Sequence, residues 1–139
     1  MRLVDVYEDA GPFYLANVLH LYSLLRERQP HESISHRAMP SFSEHVKFVE
    51  SRPYAKWFIV EDSEQRCGAV YLTRNREVGI AIGKLYRGRG LGSLALTAFM
   101  RKAGPGRVLA NINPANEASI ELFRKRGFGG PIQITLEKP

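Results

Sequence analysis

Glu77-Val78-Gly79-Ile80-Ala81-Ile82-Gly83-Lys84-Leu85-Tyr86-Arg87-Gly88-Arg89-Gly90-Leu91-Gly92 decides the fold of this chain of 139 residues. It runs from an apolar strand-like stretch, Val78 to Ile82, through a turn carrying Gly88, Gly90 and Gly92 with Arg87 and Arg89, into a helix-like stretch from Leu91 to Phe99. Glycine lets the backbone approach an anion closely, a helix start presents N–H groups with no partner inside the helix, and arginine adds charge. The turn is not the dinucleotide fingerprint, which needs Gly-x-Gly-x-x-Gly. It is not a P-loop either, because the Gly-Lys-Ser/Thr ending is missing. Taken alone it fits both a phosphate cradle and a plain glycine-rich turn.

Working outward, Leu3 to Tyr7 reads as a first strand and Pro12 to Arg28 as a helix with Tyr14, Val18, Leu21, Tyr22 and Leu25 on one face. Pro30 stops it. His31 to Pro40 reads as a loop. Ser41 with Glu44 is a capping-box signal for a second helix, ended by Pro53. The period then changes. Trp57 to Val60 and Gly68 to Leu72 read as antiparallel strands about the polar turn Asp62–Gln65, and Glu77 to Ile82 as a third. Leu91, Leu94, Ala95, Ala98 and Phe99 mark an amphipathic helix. Val108, Ala110 and Ile112 alternate as a strand. Asn113 to Asn116 opens a last helix that Gly127 stops, and Ile132 to Glu137 reads as a closing strand. The order β-α-α-β-β-β-α-β-α-β predicts a mixed α/β sheet with helices packed on it, in one domain over residues 1–139.

Apolar residues make up 44% and charged residues 24%, which argues for a folded globular chain rather than disorder. No apolar run is long enough to cross a bilayer, and Met-Arg-Leu-Val-Asp lacks a signal-peptide core, so the expectation is a cytoplasmic protein without membrane contact. Cys67, the single cysteine, excludes an internal disulfide and a multi-cysteine metal site and reads as a small buried residue. No metal is expected. The net charge of +6 favours an anionic partner, but the arginines are scattered and form no basic stripe with interleaved aromatics. Nucleic acid is therefore the least favoured partner.

The stretch Glu77–Gly92 resembles the fourth strand, loop and third helix of the GNAT superfamily of acyl-CoA-dependent N-acyltransferases. A second block is similar to that family's other CoA-side motif: Asn113-Pro114-Ala115-Asn116-Glu117-Ala118-Ser119-Ile120-Glu121-Leu122-Phe123-Arg124-Lys125-Arg126-Gly127-Phe128. The resemblance implies a mixed, mostly antiparallel central sheet with helices on both faces (α+β), and transfer of an acetyl group from acetyl-CoA to a primary amine by direct attack. It implies that backbone N–H groups of Arg87, Gly88, Arg89, Gly90, Leu91, Gly92 and Ser93 hold the CoA pyrophosphate. It implies too that backbone groups of Ile80, Ala81 and Ile82 pair with pantetheine and reach the thioester oxygen. Members splay the strands around the loop with a bulge in the strand matching Glu77–Ile82. Asn116 would bond pantetheine from the other side, and also fits a plain helix N-cap.

Two departures stand out. Many members carry a tyrosine where this chain has Phe123, and a phenyl ring donates no proton to the leaving thiolate. Ser119 and Tyr86 are the substitute candidates. Members also add two strands after the last helix, whereas eleven residues follow Phe128 here, room for about one; a homodimer partner could supply the other. Glu77 is the first candidate for the base that takes the amine proton, with His31, Glu32 and His36 in the loop where members build the acceptor site. His45 and Trp57 read as packed core. The segment Arg26 to Glu50 distantly resembles members that acetylate nucleotide-linked amino sugars, and Arg28 and Arg37 suit an anionic acceptor of that sort; a small-molecule or peptide amine is the general expectation. The alternative on these residues is a non-catalytic acyl-CoA-binding module.

Overall fold

In the computed structural model of the chain, residues 1–8, 11–33 and 38–139 are described. His36 and Arg37 lie outside them. The elements follow the order β1 (Arg2–Asp5), α1 (Tyr14–Glu27), α2 (Phe42–Glu50), β2 (Lys56–Asp62), β3 (Gln65–Leu72), β4 (Glu77–Ile82), α3 (Leu91–Lys102), β5 (Leu109–Ala110) and α4 (Glu117–Lys125). Short 3-10 turns lie at Pro30–Glu32 and Lys84–Tyr86. The five strands stand in sequence order; β1 to β4 are antiparallel and β5 is parallel to β4. A parallel return requires a crossover, and α3 supplies it.

Alternation along the strands sends side chains to two cores. Phe58, Val60, Val70, Leu72 and Val78 face α3 and α4, where Leu96, Phe99 and Phe123 meet them. Trp57, Ile59 and Ala69 face α1 and α2 and pack on Val18, Leu21 and Val49. The helices thus cover both faces of the sheet. Local signals place their ends. Ser41 accepts from Glu44 N–H at 3.1 Å while the Glu44 carboxylate accepts from Ser41 N–H at 3.1 Å, so the capping box is complete. The β2–β3 hairpin turns at Ser63 and Glu64, both with positive φ (49° and 64°), the conformation a tight hairpin demands.

Three expectations are corrected. The closing strand at Ile132–Glu137 does not form: residues 129–139 carry no helix or strand, and Ile132, Ile134 and Leu136 are 67%, 79% and 89% exposed. Alternation makes a strand only where a ladder receives it, and no described strand pairs with this segment. The strand at Val108–Ile112 shrinks to β5, two residues paired with Glu77 and Val78. Beyond it the chain is drawn away, because the Asn113 side chain donates to Ser33 O at 2.8 Å and accepts from Ala115 N–H at 2.9 Å. Finally, β4 carries no bulge. Its register with β3 is uninterrupted, and the irregularity lies in β2 between Val60 and Glu61.

Candidate active site

The open part of the sheet comes from the shortness of β5. Thr73 N–H donates to Glu77 O and Gly83 N–H to Cys67 O, both at 2.8 Å. These bonds fix the parity of the β3–β4 ladder: Glu77, Gly79, Ala81 and Gly83 turn their backbone groups toward β3, and Val78, Ile80 and Ile82 turn theirs away. Val78 pairs with β5, which then ends. Ile80 and Ile82 are left facing a gap, their N–H groups without a backbone partner among the described residues. Ala81 is corrected here: its backbone groups belong to the β3 side and cannot serve the gap.

At one end of the gap lies the glycine turn. Gly88 and Gly90 have φ of 78° and 77°, the left-handed region that favours glycine. Nothing lies within 4 Å of a Cβ built at either, whereas one on Gly92 would touch Leu122 at 3.4 Å and Ile82 at 3.7 Å. So Gly92 lets α4 approach α3, and Gly88 and Gly90 border open space. No side chain caps α3, which leaves the first N–H groups of Leu91, Gly92 and Ser93 unpartnered within the helix. The two arginines act differently from each other. Arg87 is committed inside the protein, donating Nε–H to Ile82 O at 2.9 Å and pairing with Glu32 at 3.1 Å. Arg89 is exposed, its guanidinium 5.7 Å from the Tyr86 ring centre. A third cation, Arg126 at the end of α4, donates to the Ser93 hydroxyl and so brings its charge beside the helix start.

At the other end is a small cleft between β4 and the start of α4. Asn116, Ser119 and Phe123 line one wall, and Tyr71, Gly79 and Ile80 the other. Asn116 caps α4, its side-chain oxygen accepting from Ser119 N–H at 3.2 Å. Ser119 and Phe123 are one turn apart and share the cleft face. Phe123 is 4% exposed and meets Phe128 edge-on at 5.0 Å, so its ring is held firmly at the cleft with no hydroxyl to offer. Tyr86 does not line this cleft. Glu77, half-buried at the β4 start, accepts a hydrogen bond from the Asn111 side-chain amide. Tyr71 lies flat against Gly79, where any Cβ would collide with its ring, and stacks on Tyr54 at 4.1 Å. Burial pushes the phenols of Tyr71 and Tyr54 above their ordinary value, so both stay protonated near neutrality. His31 is exposed and 3.9 Å from Glu32. His45 is 2% exposed and donates to Val18 O at 3.2 Å, a core residue far from this chemistry. Among the described residues no cluster of histidine, cysteine, aspartate and glutamate could hold a metal ion, and no helix is long and apolar enough to cross a membrane.

The family profile of the GNAT acetyltransferase domain matches residues 3–129, nearly the whole chain. The chain belongs to the GNAT acetyltransferase family. Among solved GNAT structures it is similar to a ribosomal-protein-alanine N-acetyltransferase from Brucella melitensis, at 22% identity and TM-score 0.66, covering 81% of this chain and 78% of that one. A spermidine N-acetyltransferase chimera from Vibrio cholerae and hSSAT superposes with TM-score 0.71 at 16% identity, covering 93% and 82%. A GNAT phosphinothricin acetyltransferase from Sinorhizobium meliloti, in complex with acetyl-CoA, gives TM-score 0.66 at 22% identity, covering 81% and 69%. No curated protein sequence matches the chain. At these identities the GNAT structures establish a shared fold.

Sequence reasoning did not single out four residues of this candidate site. Tyr71, Asn111 and Asn113 reach it through strand register and loop bonds, and Arg126 through the packing of α4 beside α3. Tyr71 and Asn111 lie in no motif; Asn113 and Arg126 lie within the block Asn113–Phe128, whose pattern gives neither of them a role.

Proposed function

We propose that the chain transfers the acetyl group of acetyl-CoA to a primary amine. The observation that carries this reading is the unpaired edge of β4 at Ile80 and Ile82, running toward the uncapped start of α3. Two similar solved structures that hold acetyl-CoA, an acetyltransferase from Salmonella typhimurium and the phosphinothricin acetyltransferase from Sinorhizobium meliloti, support it. N–H groups of Gly90, Leu91, Gly92 and Ser93 would hold the pyrophosphate, with Arg89 and Arg126 adding charge. The Ile80 and Ile82 edge would pair with pantetheine as a strand would, and one of those N–H groups would hydrogen-bond the thioester oxygen. The thioester supplies the acetyl group.

Glu77, oriented by Asn111, is the base in this reading. Ser119 is the candidate proton donor, since its hydroxyl stands one turn from the Phe123 ring that many family members replace with a phenol. A thiolate is a weak base, so a hydroxyl or water suffices for it. Phe123 also favours a second reading, an acyl-CoA-binding module without turnover. Calorimetry with acetyl-CoA and thiol release across an amine panel separate the two. Binding with amine-dependent release supports transfer, binding without release supports the module, and no binding at millimolar acetyl-CoA rejects both.

A further inference from the structure

The charges around the cleft are unevenly partnered. Glu32 lines it, but its carboxylate is held by Arg87 at 3.1 Å. Glu77, at the base of β4, is engaged by the Asn111 amide. Arg28 also lines the cleft, just past the end of α1. Its guanidinium has no hydrogen-bond or ion-pair partner among the described residues, and the Arg28 backbone N–H is anchored on Leu25 O. It faces the stacked pair of Tyr71 and Tyr54, whose hydroxyls sense its charge.

An acceptor amine must present its nitrogen toward the open Ile80–Ile82 edge of β4, with Glu77 at the start of the same strand. The rest of the molecule then extends toward Arg28 and the Tyr71 hydroxyl. A guanidinium with five donors and no acceptor recognises carboxylate or phosphate oxygens, and a neighbouring phenol adds another donor. It repels a second ammonium. We propose that Arg28 binds an anionic group, carboxylate or phosphate, carried by the acceptor amine itself. The substrate class is thus an anionic primary amine, and polycationic amines are disfavoured. This rests on the acetyl-transfer reading above.

The test measures initial rates of thiol release from acetyl-CoA with four amines of similar reach. They are β-alanine (carboxylate), O-phosphoethanolamine (phosphate), ethanolamine (neutral) and putrescine (dicationic). Each is run on the wild-type chain, Arg28→Ala and Arg28→Lys. At least one anionic amine is expected to exceed ethanolamine by about tenfold or more in kcat/KM. That preference falls to about twofold or less in Arg28→Ala, mostly through KM, and is partly retained in Arg28→Lys, which keeps the charge without the planar fork. Whichever of the two anionic amines leads identifies the group. Equal or better rates with ethanolamine or putrescine overturn the proposal, as does a preference that survives Arg28→Ala. Release without charge preference defeats this proposal alone; absence of release with every amine defeats the transfer reading and this proposal together.

Discussion

Gly90 shows how one residue can be required for a ligand rather than for packing. Its φ of 77° strains any side chain, yet nothing in the protein occupies the space a Cβ would take. Gly90→Val should weaken acetyl-CoA binding by about tenfold or more by placing methyl groups before the helix N–H donors, and calorimetry on the folded variant checks it. Unchanged affinity would remove the loop from the site. Glu77→Gln should lower kcat by about tenfold or more with little effect on acetyl-CoA affinity; a kcat equal to wild type would count against the base. At this scale the glycines, Asn116 and Ser119 are legible in the sequence, because turn conformation and helix capping are local. Tyr71 is not, since it reaches the cleft across the sheet; Arg28 reads as a basic residue suited to an anionic acceptor, but its place in the cleft comes from the fold. Arg87 reads as a charge for the ligand, but Ile82 O and Glu32 take up its guanidinium.

The elements were legible wherever hydrophobic period and punctuation coincided. The Ser41–Glu44 box begins α2, Gly90 begins α3, and Gly127 with φ 93° follows α4. Alternation overreached at Val108–Ile112, where only Leu109–Ala110 pairs, and failed at Ile132–Glu137, because a strand needs a neighbour as well as a pattern. The joint between β4 and α3 depends on Arg76, another residue without a motif. Its guanidinium donates to Ala103 O at 2.7 Å, Pro105 O at 3.1 Å and Arg107 O at 3.2 Å, closing the carbonyl end of α3 onto the start of β4. Arg76→Ala should cost about 1–3 kcal/mol, read as a lower urea midpoint. Arg76→Lys should recover little of it, because an ammonium cannot span carbonyls spread over that loop. A midpoint equal to wild type would mean that water replaces the guanidinium at no cost.

For the molecule as a whole, two cores on opposite faces hold one sheet, and the α1–α2 side carries its titratable liability. Burial pushes His45 and His20 below the ordinary histidine value of 6.5. His20 also feels Arg66, which pushes the same way, and Glu27 and its bond to Gly68 O, which oppose it. Depressed values in the folded state mean that the unfolded chain binds more protons as pH drops below 6.5. Stability is therefore complete above that pH and declines as pH falls through it. Glu44 is also held below its ordinary 4.5, and its contribution fades only at lower pH. The urea midpoint at pH 5.5 should lie below that at pH 7.5; equal midpoints would show that neither histidine is excluded from protonation. On its β5 side the sheet stops pairing after Val78 and leaves the Ile80–Ile82 edge without a neighbouring strand among the described residues. A molecule that completes this edge acts as a removable strand, so folding free energy becomes a thermodynamic function of its concentration. At a hundredfold excess over Kd the linkage adds about 2.7 kcal/mol, which turns the melting temperature into a reporter of occupancy.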